Sequence, residues 1–378
     1  MDFSFSPSQQ RAFDDACAFA KASLTSGDVD PTFDRDGWRR CADFGAMGVT
    51  IPEEFGGSGQ SLSEFVAMFE GLAYGAPRRL GLYIAINAHV FGSVETLFKA
   101  GTDEQKARYL RKLATGEWVA AHSVTEPDGG SDLGSMKTIA RREGDRWIIN
   151  GRKKYTTCGA GADLHVVYAK MDDPERYRLS CFLVEPGTPG MNVRPLPASG
   201  LDGSGLSEVT YDNVAVPEEN ILGKPGSGAM LFQGSIERER ACIFGFVLGA
   251  MRKQIDIAVQ YANERHVGGR AIGGYQAVSH RIADMKMRLD AARLLLYQVT
   301  ALKSANKRAP TEAAVAKLFI SESFLANSMD LCRIHGGNGF LLENGIEGYL
   351  RDALGTIIFS GTSDIQRNII AAQLGVRG

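Results

Sequence analysis

The residues best suited to chemistry lie in Ser235–Met251, SIERERACIFGFVLGAM, where alternating charges give way to an almost wholly apolar run. Read as a helix, this stretch puts Glu239 on one face with Cys242, Ile243, Phe246 and Ala250, through the i, i+3, i+4, i+7 spacing. A carboxylate held over an apolar wall has its charged form disfavoured, which raises its pKa towards the range of a working general base. The same stretch also reads as an ordinary helix start, with Glu237 or Glu239 paired to Arg240 or to solvent. A second candidate is Thr125–Asp132, TEPDGGSD, which follows the apolar Val119-Ala120-Ala121. Its glycines let backbone N–H groups come close to a flat or anionic ligand, and its hydroxyls add donors. A glycine-rich surface turn accounts for it equally well.

The chain that must position these residues has 378 of them, enough for two or three packed units. With 44% hydrophobic and 23% charged residues, its composition is that of an ordinary globular protein. The net charge of −2 and the lack of a Lys/Arg-rich run argue against nucleic-acid or membrane-surface binding. The longest apolar run, around Ala241–Met251, is too short to span a bilayer. The first residues lack both parts of a signal peptide, so a cytoplasmic location is expected. Six scattered cysteines without a C-x-x-C pair read as reduced thiols, and the six histidines show no metal-binding spacing.

Residues 1–117 read as a helical domain, opened by Ser6-Pro7-Ser8 as a cap for a helix over Gln9–Ala22. The glycine loop Glu53-Glu54-Phe55-Gly56-Gly57-Ser58-Gly59 interrupts it. Residues 118–226 read as a β domain, a small barrel or sandwich, with Asn150-Gly151 predicting a hairpin inside Arg146–Tyr155. From 227 to 378 the helical period returns, and long stretches at Met230–Met251, Met251–Glu264, Gln276–Ala305 and Glu312–Cys332 predict a four-helix bundle. The expected fold is therefore mixed α and β, in the order helices, β unit, helices.

Several motifs in this order resemble the acyl-CoA dehydrogenase superfamily across nearly the whole chain. Gly48–Gly59 is similar to its N-terminal glycine segment and Thr125–Asp132 to its TEPxxGSD motif. Asp212–Pro217 with Asn220–Gly223 resembles the segment closing its β domain. Gly336-Gly337-Asn338-Gly339 and Gly361-Thr362-Ser363 match its C-terminal signatures. The resemblance implies FAD as cofactor, held between the β domain and the bundle. It places His122, Val124, Thr125 and Ser131 at the flavin, with Ser131 also near substrate. Tyr155-Thr156-Thr157 stands where Trp-Ile-Thr/Ser is usual, which assigns Thr157 to flavin N5, where charge builds as hydride arrives. Arg265 matches an arginine at the FAD pyrophosphate of a neighbouring subunit. Gln276, Arg333, Gly336, Gly337, Thr362 and Asp364 match other dinucleotide contacts. Three positions depart from the pattern: His266-Val267-Gly268-Gly269 replaces x-x-Phe-Gly after Arg265, Arg333 replaces Gln, and Asp364 replaces Gln or Glu.

The most informative departure is Phe359-Ser360-Gly361-Thr362, where most of the family has Tyr-Glu-Gly-Thr with that Glu as base. An unaided serine hydroxyl cannot remove a thioester α-proton, because its own pKa is far too high. The isovaleryl-CoA dehydrogenase type instead carries its base on the first bundle helix, directly before an arginine that stands nine residues ahead of a glycine. Glu239-Arg240 and Gly249 reproduce that spacing. The resemblance thus assigns Glu239 as base, with Arg240, Phe359, Ser360 and Gly361 at the substrate. It implies α,β-dehydrogenation of a small acyl thioester on a carrier protein, prolyl or hydroxyacyl, in a secondary-metabolite pathway. A short- or branched-chain acyl-CoA dehydrogenase and a flavin oxygenase or oxidase are the alternatives. An electron-transfer flavoprotein or O₂ would take the electrons, and the family is commonly a homotetramer.

Overall fold

The protein, described here from a computed structural model, is placed for residues 4–172 and 179–376. Two glycine pairs of i, i+4 spacing organise its helical part. Helix Leu62–Gly75 lies between Pro7–Ser23 on one side and Gly245–Glu264 on the other. A Cβ on Gly71 would stand 2.3 Å from the Phe13 carbonyl oxygen, and one on Gly249 would stand 2.1 Å from the Glu70 carbonyl oxygen. Gly75 and Gly245 repeat these approaches against Cys17 and Val66. The backbones therefore touch where any larger residue would hold them apart. Phe65 and Phe69 of the first helical region and Phe246, Leu296 and Phe324 of the last lie in one hydrophobic cluster. The two helical regions, separated in sequence by the β unit, share a core. Buried Glu70 adds an ion pair to Arg293 across the same boundary.

Local signals explain the helix starts. Ser6 accepts a hydrogen bond from Gln9 N while the Gln9 side chain returns to Ser6 N, and Ser61 with Glu64 repeats the arrangement. Pro310 opens helix Pro310–His335, where its missing N–H costs nothing.

The β unit contains β1 Ala120–Ser123, β2 Ile139–Glu143, β3 Arg146–Thr156, β4 Leu164–Met171, β5 Leu179–Val184, β6 Met191–Pro195, β7 Ser207–Pro217 and β8 Ile221–Leu222. They form one sheet in the order β6-β7-β3-β2-β4-β5-β8, with β1 parallel to β4. It folds over a core of Trp147, Phe182, Val209, Tyr211 and Val216. Among the described residues β6 and β8 do not pair, so the sheet is wrapped rather than closed.

Two expectations need correction. Asn150-Gly151 is not a hairpin: β3 runs unbroken through it, and a register shift between Ile149 and Gly151 makes it a bulge. Gly151 is needed because a Cβ there would meet Thr138 Oγ1 at 2.4 Å. The hairpin turn is Gly144-Asp145, with Gly144 at φ 63° between paired Glu143 and Arg146. Nor is Met230–Met251 one helix. Gly228–Cys242 ends before Ile243-Phe244, and Gly245–Glu264 begins after it. The turn lets the first helix face the β unit and Pro310–His335 while the second presses its glycines on Leu62–Gly75. The bundle is completed by Gln276–Ser304, with Ile346–Thr356 and Ser363–Gln373 packed at its end.

Gly249→Ala should lower unfolding stability by roughly 1–3 kcal/mol, the usual cost of forcing atoms into a packed contact. Urea melts would show it, and an unchanged midpoint would mean the two helices can part without loss.

Candidate active site

The four charges of Glu237-Arg238-Glu239-Arg240 leave their helix in different directions. Glu237 accepts from Lys303 Nζ and from Ala309 N at 2.8 Å. Despite partial burial, these partners hold its pKa below the usual carboxylate value. Arg238 pairs at 2.9 Å with Glu95, which also takes Thr50 Oγ1 at 2.9 Å and Lys99 at 2.8 Å. Glu95 is buried, so the clamp is poorly screened by water. These two anchors fix the last turns of the helix against the bundle and the first helical region.

Glu239 is the acid left for chemistry. Ser360 Oγ donates to its Oε1 at 2.6 Å, across 121 residues of sequence. Glu239 is half-buried, and its desolvation pushes the carboxyl up, against the lowering effect of the Ser360 bond and the Arg240 charge. Arg240 Nε donates to the Ser360 carbonyl oxygen at 3.2 Å. Gln366 Nε2 reaches the Ser360 and Gly361 carbonyls at 3.3 Å and 2.9 Å. Ser360 and Gly361 both have positive φ, 53° and 89°, and these donors hold that turn. Phe359 stacks on Phe244 with ring centroids 5.6 Å apart. Among the described residues the Ser360 N–H has no acceptor, which leaves a donor beside the carboxylate.

The glycine loop is built on a buried ion pair that sequence reading did not single out. Lys153 Nζ bonds Glu126 Oε1 at 2.8 Å and the Val124 carbonyl at 2.9 Å, with no exposed surface on the lysine. Glu126 also accepts from Lys137 N at 2.6 Å and Thr138 N at 2.8 Å. Lys154 N donates to Thr125 O at 2.9 Å, tying the loop to β3 just before Tyr155. Burial lowers the Lys153 pKa to about 8, with Glu126 opposing it. A lysine at an inward position of β3 was the available signal, since such a side chain needs a buried acid.

Around this loop Val124 and Thr156 are buried, Thr125 and Thr157 half-buried, and Ser131 and Tyr155 exposed. Tyr155 sits at φ 64°. His122 on β1 lies 5.2 Å from Tyr168 and 6.2 Å from Phe232, centroid to centroid. Phe232 is two turns before Glu239 on the same helix face, so β1, β4 and the Glu239 helix share one wall. Among the described residues the His122 Nε2 is buried without a partner, and burial lowers its pKa to about 4. A neutral imidazole and three hydroxyls, Thr125, Ser131 and Thr157, thus stand near one edge of the sheet. Among the described residues none of these three hydroxyls is hydrogen-bonded. A flat ring with acceptors along its edge, as in a flavin, fits this donor set.

The remaining predicted residues are not brought to this group within one chain. Arg265, Gln276, Arg333, Gly336 and Gly337 are exposed, with Arg333 paired to Asp330 at 3.3 Å. Asp364 pairs with Arg367 at 3.0 Å. Thr362 caps helix Ser363–Gln373 by accepting from Ile365 N at 3.3 Å, a structural role the motif alone did not reveal.

Three family descriptions match the chain, one for each region. The N-terminal, middle and C-terminal domains of acyl-CoA dehydrogenase match residues 6–117, 121–214 and 226–375. The L-prolyl-[peptidyl-carrier protein] dehydrogenase of Serratia sp. is 34% identical over 100% of this chain and 99% of its own length. The chain belongs to the acyl-CoA dehydrogenase family. Its members are FAD-dependent oxidoreductases acting on the CH–CH bond of acyl thioesters, and FAD is the cofactor. Two solved structures share the fold closely. The prolyl acyl carrier protein oxidase AnaB has a TM-score of 0.95 and 36% identity, covering 98% of this chain and 100% of its own. The FAD complex of PigA has a TM-score of 0.95 and 34% identity, with both chains fully covered.

Lys153→Met should cost about 3–5 kcal/mol, because it strands a buried carboxylate. FAD affinity should fall with it, as read by flavin fluorescence and thermal melting. A variant that melts and holds FAD like the parent would show that the pair does not support the loop.

Proposed function

We propose that the protein dehydrogenates the α,β-bond of a small acyl thioester carried on a carrier protein, with Glu239 as the base. The observation that carries this is the Glu239 carboxyl, raised by burial and set 2.6 Å from the serine that replaces the family's usual acid. The prolyl-carrier names of the Serratia relative and of AnaB support a tethered prolyl group as substrate. Glu239 removes the α-proton, and desolvation brings its pKa closer to that of the activated carbon acid. The Ser360 N–H, unengaged among the described residues, would polarise the thioester carbonyl and stabilise the charge that builds there. Arg240 and Gln366 hold this N–H by gripping the Ser360 carbonyl on the other side of the turn. When bound, FAD supplies the acceptor for the hydride that leaves the β-carbon. His122, Val124, Thr125, Ser131, Tyr155, Thr156 and Thr157 are the residues that would hold its ring.

We further infer a homotetramer in which Arg265, Gln276, Arg333, Gly336 and Gly337 meet the dinucleotide of a neighbouring subunit. Their exposure supports this, as does the apolar Phe340 at 85% and Leu342 at 78% exposed beside them. The electrons pass to an electron-transfer flavoprotein or to O₂. The oxidase name of AnaB favours keeping O₂ as acceptor. In either case the acyl thioester should bleach the flavin anaerobically without NAD(P)H, and bleaching only after NAD(P)H is added would mark an oxygenase instead. Prolyl and hydroxyacyl carrier-protein thioesters, compared with the CoA esters, identify the tether.

Glu239→Gln should retain FAD and lose substrate-driven flavin reduction by roughly 10²–10⁴-fold. Undiminished reduction would move the base elsewhere. In the parent the rate should climb with pH through a raised carboxyl pKa. The stability effect has the opposite sign. The folded state holds this proton more tightly than the unfolded chain, so Glu239 loses stability as pH rises through its folded pKa. Glu239→Gln should therefore gain denaturant resistance relative to the parent as pH rises. A difference that does not vary with pH would mean the carboxyl is not desolvated.

A further inference from the structure

We infer that the Ser360 hydroxyl is a positioning group for Glu239: it ties down one carboxylate oxygen and leaves the other as the oxygen that takes the proton. The bond is 2.6 Å, the range of a hydroxyl donating to an ionised carboxylate. It engages Oε1, and among the described residues Oε2 has no partner. The carboxylate thus has one tethered and one available oxygen, with its rotation restricted before substrate arrives. That saves reorganisation at the moment of proton transfer.

The backbone is arranged to deliver this hydroxyl. Ser360 sits at φ 53°, a conformation that a side-chain-bearing residue adopts only when its surroundings enforce it. Arg240 and Gln366 enforce it by donating to its carbonyl, and Gly361 follows at φ 89°. A Cβ on Gly361 would stand 2.7 Å from Gln366 Nε2, so this grip requires glycine there. With the carbonyl held from one side, the side chain is turned towards Glu239.

The charged and titratable groups around Glu239 are few. On its own helix Arg240 favours the carboxylate. From β4, Tyr168 is close enough to feel the Glu239 charge, and burial keeps that phenol protonated. From helix Pro310–His335, buried Lys317 feels the Arg240 charge and has no hydrogen-bond partner among the described residues. His122 on β1 is neutral for the same reason of burial. Ser360 is the hydroxyl that contacts the carboxylate directly, and it opposes the effect of burial by stabilising the ionised form.

The kinetic part of this inference rests on Glu239 being the base, so the test has an arm that does not. Ser360→Ala removes the hydroxyl and keeps the positive-φ cost, whereas Ser360→Gly removes both. Both keep the backbone N–H and the carbonyl that Arg240 holds. In the FAD-loaded enzyme both should reduce flavin about tenfold more slowly at low pH, the loss of one hydrogen bond to a charge. The acid limb of the rate profile should move to higher pH, with KM little altered. Infrared titration of the carboxylic C=O band, assigned by its loss in Glu239→Gln, should show the same displacement without turnover. If the band moves but Glu239→Gln remains active, the tethering stands and the base assignment fails. If neither the band nor the acid limb moves in the two variants, the hydroxyl does not position Glu239. If only Ser360→Ala is impaired and its pH profile is unchanged, the role of this position is conformational and the inference is wrong.

Discussion

A carboxylate partly sheltered from water, yet ready to ionise, is the constraint that the rest of this structure serves. Burial alone would leave Glu239 protonated and useless as a base. Full exposure would leave it ionised but too weakly basic. The Ser360 hydroxyl and the Arg240 charge offset part of the desolvation, so the carboxyl lies between those limits. This balance requires two segments 121 residues apart to stay within hydrogen-bond distance.

That proximity is held by packing that looks remote from chemistry. The Glu239 helix is clamped on one side by Glu95 through Arg238 and on the other by Lys303 and Ala309 N through Glu237. Glu95 belongs to the first helical region, which shares its core with the bundle. The glycine contacts that bring Leu62–Gly75 against Gly245–Glu264 therefore reach Glu239 through the chain turn at Ile243-Phe244. A shift of one helix by an ångström would be felt at the carboxylate, since close-packed interiors transmit displacement. The β unit has its own fixed element in the Glu126–Lys153 pair, which holds the loop carrying Thr125 and Ser131. Two separate buried devices thus set the two sides of one site.

The order of helices, β unit and helices was legible in the sequence because hydrophobic period is a local property. Capping at Ser6 was legible for the same reason. The departures came where tertiary contact overrode a local signal. Asn150-Gly151 carries the strongest short hairpin signature in the chain, yet Thr138 presses on that glycine and the pair becomes a bulge. The apolar run Ala241–Met251 looks continuous, yet its two halves have different partners and the helix turns between them.

For the site, the sequence by itself determined the inventory: one acid at 239, a serine at 360, the TEPDGGSD loop and the threonines at 156 and 157. The motif order was enough to imply the family and its flavin, because several spaced motifs rarely coincide by chance. Only the tertiary structure decided what these residues do to one another. A carboxyl pKa depends on burial and on donors brought from distant segments, and neither is written in the neighbouring residues. Hence the Ser360 bond, the Glu126–Lys153 pair and the capping role of Thr362 all emerge only from the fold. Spacing along the chain names the groups; their distances in space determine which carboxylate is sheltered, which hydroxyl bonds it and which caps a helix.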